Sequence, residues 1–223
     1  MSLPITVLFE DACLLVLDKP AGLLSVPGRG DDKQDCLSAR AQALYPDALV
    51  VHRLDMATSG LMLMARGIAM QRVLSKAFAD RQVHKRYLAV VDGQLATPPD
   101  DWAVINLPIA LDWPRRPLRV IDETLGKPST TRWRLAAGQS PSDTLDSGPS
   151  RPATRLELEP VTGRSHQLRV HLAAIGHPIL GDRLYAPLEV QQRASRLMLH
   201  ASSLALAHPH SGEMMQFSNP PPF

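Results

Sequence analysis

The sequence predicts an α+β fold in which strands outnumber helices. Short apolar runs, bounded by turn residues, recur along the chain as strands require. Only about three segments place apolar residues at the 3.6-residue helical period, and internal repeats are absent. With 223 residues, 44% of them hydrophobic, the chain is long enough to bury a real core, and it reads as one α+β domain.

Ile5–Phe9 and Cys13–Leu17 flank Glu10-Asp11-Ala12 and read as the strands of a hairpin. Lys19-Pro20-Ala21-Gly22 turns out of it, and Ser25 to Asp35 is a loop. Leu37, Ala41 and Leu44 recur at helical spacing until Pro46. Leu49–Val51 and Leu61–Ala65 are too short for helices and read as strands, so the polar segment between them falls at a strand junction. Ile68, Gln71, Leu74 and Phe78 predict a helix over Gly67–Arg81, and Tyr87–Val91 reads as a strand. From Pro98 to Arg134 several prolines separate short β-like pieces. Gly138–Pro152, with four Ser, three Pro and two Gly, reads as a flexible loop insertion. Thr154–Leu158 is a further strand. Thr162 then N-caps a helix that runs to Gly176, its C′ residue, with Pro178 beyond.

Composition excludes fibrous, collagenous and wholly disordered classes. The 4% of aromatic residues and net charge of +2 speak against a nucleic-acid binder built on stacking platforms and bulk charge. Charge placement reverses that reading. Residues 1–55 hold five Lys/Arg against eight acids, and the remainder holds nineteen against fourteen. Arg66 to Arg86 alone has six Lys/Arg against Asp80, which suits a solvated helix face or a phosphate-facing surface. Cys13 and Cys36 form neither a CxxC nor a Cys/His metal spacing. There is no basic leader and no membrane-length apolar run, so a cytoplasmic, reducing location is expected, without membrane contact.

One helix carries an anomaly. Along Arg164–Ile175, Leu168, Leu172 and Ile175 form one apolar arc, while Val170, Ala173 and Ala174 cover much of the opposite side. Such a helix is buried between layers, yet it carries Arg164, His166, Gln167, Arg169 and His171. A buried guanidinium needs an anion, whether a functional carboxylate, a phosphate or a purely structural partner, unless it snorkels to solvent. A candidate carboxylate is Asp55, in His52-Arg53-Leu54-Asp55-Met56-Ala57-Thr58-Ser59-Gly60, although an Arg53–Asp55 pair on one strand face is an alternative. No metal is expected. His166 and His171 stand five apart, about 140° around a helix, and no HExxH spacing exists. Gly28-Arg29-Gly30 lacks the third glycine of a dinucleotide loop.

Taken together the segments resemble the RluA family of pseudouridine synthases. The resemblance rests on Lys19-Pro20-Ala21-Gly22-Leu23-Leu24-Ser25-Val26-Pro27-Gly28, on His52-Arg53-Leu54-Asp55 with Thr58-Ser59-Gly60, and on Lys85-Arg86-Tyr87-Leu88-Ala89. It continues through Thr162-Gly163-Arg164-Ser165-His166-Gln167-Leu168-Arg169-Val170-His171-Leu172, Gly176-His177-Pro178-Ile179-Leu180-Gly181-Asp182 and Leu197-Met198-Leu199-His200-Ala201. It implies a mixed, mostly antiparallel bisected sheet with flanking helices and a central active-site cleft. Residues 1–223 would be a single catalytic domain without an N-terminal S4-like RNA-binding domain. The resemblance further implies that Asp55 is the essential carboxylate, that Tyr87 packs on the target base, and that Arg169 pairs with the aspartate. Arg53 would fill the space left by a flipped nucleotide, and RNA contacts would extend to His52, Thr58, Lys85, Arg86, Arg164 and His166. Asp112-Trp113-Pro114 resembles the members that act on a 23S rRNA hairpin and tRNA anticodon stem-loops. A monomer without cofactor, metal or obligate protein partner is implied.

The residues suit that reaction. Breaking the N1–C1′ bond develops oxocarbenium character that an adjacent carboxylate can stabilise or trap. An arginine beside Asp55 would keep it ionised and fix its rotamer. The base must leave its stack, and Tyr87 offers it a face and a hydroxyl near C5. Competing readings are action on only one of these RNAs, a glycosidase-like hydrolase using Asp55, and an inactive RNA-binding protein of the same fold.

Overall fold

The hairpin forms where the apolar runs predict it. Strands β1 (Thr6–Glu10) and β2 (Leu14–Lys19) pair antiparallel about Asp11, whose Oδ1 accepts from the N–H groups of Cys13 and Leu14. The computed structural model describes residues 5–98, 100–137 and 152–223. The expected insertion at Gly138–Pro152 therefore lies outside the described residues, apart from Pro152.

After a 3-10 turn at Asp31–Lys33 come α1 (Leu37–Leu44), β3 (Ala48–Val50), β4 (Ser59–Arg66), α2 (Gly67–Ala79) and β5 (His84–Asp92). The proline-rich stretch resolves into β6 (Ala103–Asn106), β7 (Ile109–Leu111), β8 (Arg119–Ile121) and β9 (Thr130–Leu135). The chain closes with β10 (Ala153–Pro160), α3 (Gln167–Ala174), α4 (Leu188–Gln191), β11 (Leu199–Ala207) and β12 (Met214–Ser218). The α+β class and the mostly antiparallel pairing follow the sequence expectation.

The residues group into two compact units: Met1–Lys85 with His200–Pro222, and Arg86–Leu199 with Phe223. In the first, β1, β2 and β4 run antiparallel in that order, β11 lies parallel to β4 on its other side, and β12 pairs with β11. Strand β4 is covered on both faces, which explains its unbroken Leu-Met-Leu-Met-Ala run. One face packs Leu61, Leu63 and Ala65 with Leu14, Val16, Leu204 and Leu206 beneath Leu74 of α2. The alternate residues Met62 and Met64, with Leu15 and Leu17 of β2, are fully buried on the other face.

The second unit is an antiparallel sheet in the order β5–β10–β9–β6, with β7–β8 as a separate hairpin. Helix α3 packs against β8, β9 and β10. Its burial matches the apolar pattern, since Gln167 through Leu172 are all buried. Its start differs from expectation. Thr162 does not cap the helix, because its hydroxyl accepts from the Thr130 N–H and donates to Gln167 Oε1. His166, with φ of 57°, stands as the N-cap instead. The C-terminus is the expected one: Gly176 is left-handed, its N–H reaches Ala173 O, and His177 N–H reaches Leu172 O, a Schellman motif.

Candidate active site

Asp55 sits on the junction between β3 and β4, and the backbone around it is pinned from several sides. The hydroxyl of Ser25 donates to Leu54 O at 2.7 Å and accepts from Leu54 N at 3.1 Å, so both backbone groups beside Asp55 are held by one side chain. On the other side, Met56 O accepts from Gly22 N–H and from Lys19 Nζ. Lys19 is fully buried at the end of β2, and its ammonium also donates to Pro20 O and Leu23 O. Thr58 N–H closes the turn onto Asp55 O at 3.1 Å. Five residues beyond Asp55, Gly60 has φ of 107°, and a Cβ there would stand 2.3 Å from Ala201 O. Neighbouring Ser59 Oγ donates to His200 Nδ1, while His200 Nε2 donates to Asn219 O. Asp55 itself is half-buried on this fixed backbone.

His52 opens this segment as a structural element. Its ring stacks on Phe78 at 4.5 Å, and Nε2 accepts from Leu63 N–H at 2.8 Å. Burial, together with the nearby Lys85 ammonium, brings its pKa from 6.5 down to about 3. Lys85 is in turn lowered from the usual lysine value by burial.

The second unit organises a polar cluster around α3. The Gln167 side chain accepts from Thr162 Oγ1 and Arg164 N and donates to Thr130 O and Thr131 Oγ1. Thr131 donates onward to His171 Nδ1, and His171 Nε2 donates to Leu107 O. Desolvation lowers the His171 pKa. This network sets the pose of α3, and so of Arg169, which is 4% exposed. Arg169 forks onto Asp182 through Nε to Oδ2 at 2.8 Å and Nη2 to Oδ1 at 2.6 Å. Asp182, 1% exposed, also accepts from the N–H groups of Leu184 and Tyr185. The Tyr185 ring lies 5.1 Å from the guanidinium, and its hydroxyl accepts from Arg119 N and donates to His166 Nδ1. Asp182 thus supplies, within the same unit, one anion that a buried Arg169 demands.

The sequence shows Asp182 within a motif but not its partner, and it gives no role to Lys19 or Ser25. Lys19 at the start of the Pro20-Ala21-Gly22 turn was the available signal, but its third carbonyl, from Met56, lies 37 positions away. Of the residues expected to meet RNA, Arg53 and Arg164 are exposed, and Lys85, Arg86 and His166 are half-buried. Arg86 pairs with Glu159 at 2.9 Å and lies over the Trp102 ring. Thr58 is 2% exposed, which withdraws it from a surface role, and the half-buried His52 stacks on Phe78. Tyr87 lies on β5 opposite Leu158 of β10. Asp55 belongs to the first unit, Tyr87 and Arg169 to the second.

Among the described residues, Asp11, Cys13 and His208 have ligand-type atoms within 4.8 Å of one another. His208 Nδ1 accepts from His210 N and Ser211 N, which leaves the proton on Nε2, aimed at Asp11. That tautomer turns a donor, not a lone pair, toward the group, so the set is poorly prepared for a metal. No described helix is long and apolar enough to cross a membrane.

The chain is similar to known proteins along most of its length. A model of the RNA pseudouridylate synthase family matches residues 13–174. The chain is 44% identical over 211 residues to the dual-specificity RNA pseudouridine synthase RluA of Yersinia pestis, covering 95% of this chain and 96% of the relative. It is 42% identical over 219 residues to the Escherichia coli protein of that name, covering 98% and 94%. Among solved structures it resembles human RNA pseudouridylate synthase domain containing 1, with a TM-score of 0.78 and 28% identity over 98% of this chain and 84% of that one. On this evidence the chain belongs to the RNA pseudouridylate synthase family, enzymes that isomerise uridine to pseudouridine in RNA.

Proposed function

We propose that this chain isomerises specific uridines in a 23S rRNA hairpin and in tRNA anticodon stem-loops, acting in the cytoplasm as a monomer without cofactor. Relatives carrying the dual-specificity name, at 44% and 42% identity over nearly the whole chain, support that substrate range. The two units work as a single catalytic domain in this reading, supported by a family match that runs across both.

The observation that carries the site is Asp55, half-buried on a junction whose flanking backbone is tied to Ser25, Lys19 and Gly22. A carboxylate so placed can meet developing positive charge at C1′ without reorganising. Asp55 either attacks C1′ or removes a proton on a glycal path. Tyr87 receives the detached uracil on its ring, and its hydroxyl serves the proton leaving C5. Arg169 is the basic partner of this chemistry, held in pose by Asp182. RNA contacts fall to Arg53, Lys85, Arg86, Arg164 and His166, with Arg53 entering the space left by the flipped nucleotide. His52 and Thr58 shape the junction instead.

Incubation with stem-loops tritiated at uridine C5 tests this reading. The wild-type protein releases tritium from both RNA classes. Asp55→Asn binds RNA with unchanged affinity and releases at least ~10³-fold less. Substantial turnover by that variant, or release of free uracil, overturns the assignment, and release from one RNA class alone overturns the dual specificity.

A further inference from the structure

The loop joining β7 to β8 carries a tryptophan that the fold leaves outside. Trp113 is 65% exposed, and the loop beneath it is held in one shape by its own hydrogen bonds. Asp112 accepts from Arg115 N at 3.2 Å and from Arg115 Nε at 2.7 Å, and Asp112 N–H reaches Leu118 O at 3.0 Å. Arg116 donates through Nε to Trp113 O and lays its guanidinium 4.6 Å from the ring centroid. Asp112 is 9% exposed while the Arg115 side chain is 70% exposed, so the acid is turned inward and the outward charge is cationic.

An exposed aromatic plane with the Arg116 guanidinium against it and the Arg115 cation on the same loop matches what an unpaired nucleotide offers, a π-face and a phosphate. An acidic peptide would use the cations but leave the ring without a planar partner. The hairpin is also tied to the α3 cluster. Arg119 N, on β8, donates to the Tyr185 hydroxyl, and that ring lies beside Arg169. Nucleotide bound at the loop is therefore held on the same unit, and on the same hydrogen-bonded framework, as Arg169.

We propose that Trp113, with Arg115 and Arg116, is a docking site for one unpaired nucleotide of the RNA other than the target uridine. This rests on RNA being the substrate.

The test uses the full chain and a synthetic anticodon stem-loop, with Kd and steady-state rates measured together. Trp113→Ala raises Kd and KM roughly 5- to 100-fold and leaves kcat within about twofold, and Trp113→Phe recovers most of the loss. Arg116→Ala lowers the slope of log Kd against log salt by about one phosphate contact. In a series of stem-loops with one abasic position each, one position weakens wild-type binding to the level of Trp113→Ala and has no effect on that variant. An unchanged Kd for Trp113→Ala, with the variant folded by circular dichroism, overturns the docking site, including the case in which a protein partner uses the loop. Absence of pseudouridine from wild-type reactions overturns the proposed function instead, because Kd is read without turnover.

Discussion

Arg169 shows how one buried charge divides between structure and chemistry. Its fork onto Asp182 is dry, with the partners 4% and 1% exposed, so removing either leaves an uncompensated charge in the interior. Asp182→Asn should destabilise the protein by about 3–5 kcal/mol in urea unfolding. The double variant Arg169→Met with Asp182→Leu should regain most of that stability, because an apolar pair of similar volume avoids desolvation. If Arg169 serves only the fold, the double variant is also active; the proposed role requires that it stay inactive while folded. A stable, fully active double variant would remove Arg169 from the mechanism. At the same scale, Asp55 was legible from its motif, whereas Asp182 was not, because nothing in the order of residues says which carboxylate a helix arginine will meet.

At the scale of elements, the junction carrying Asp55 owes its shape to groups brought from elsewhere. Ser25→Ala would leave the Leu54 N–H and C=O without their shared hydroxyl, at a cost of about 1–3 kcal/mol. The same change should lower kcat more than it raises KM, since it loosens the carboxylate and not the RNA contacts. An equal loss in both parameters would contradict that account. Gly60→Ala is expected to be more severe, because its φ of 107° strains any other residue and the added Cβ would meet Ala201 O at 2.3 Å. Thermal denaturation should show a large drop in Tm or no folded protein, and near wild-type stability would refute the close approach of β4 to β11. Helix α3 illustrates the two kinds of boundary. Gly176 ended the helix as glycine chemistry dictates, while the start moved to Gln167 because the Thr162 hydroxyl was claimed by partners 32 and 5 residues away.

For the whole molecule, pH acts through histidine rings whose pKa folding lowers. His52 has its pKa brought from 6.5 to about 3, and His171 is lowered by desolvation as well. Once unfolded, both take up protons near pH 6.5. The unfolded chain therefore binds more protons below that pH, and stability falls as pH drops from about 6.5 toward 3. His52→Gln retains a hydrogen-bond acceptor for Leu63 N–H but cannot titrate. Its urea midpoint should decline less steeply over this window than the wild type, by about one proton in slope, and identical slopes would show that His52 is charged in the native state. Charge is also a whole-chain property. The net charge of +2 conceals an acidic first quarter and a basic remainder, so bulk charge was a weaker guide to RNA than the placement of a few arginines.

The sequence by itself determined the strands up to Val91 and the one at Thr154–Leu158, the three longer helices, the Gly176 terminus and the candidate Asp55, because periodicity, turn chemistry and short motifs act within a few residues. Only the tertiary structure decided what holds those residues. It supplied the Met56 carbonyl to Lys19 across 37 positions, Ser25 to Leu54 across 29, and Asp182 to Arg169 across 13. It also lowered the His52 pKa, by burying the ring and setting it near the Lys85 ammonium. Hydrogen-bond partners and desolvation depend on which distant backbone passes close by, and a local pattern of residues carries no record of that.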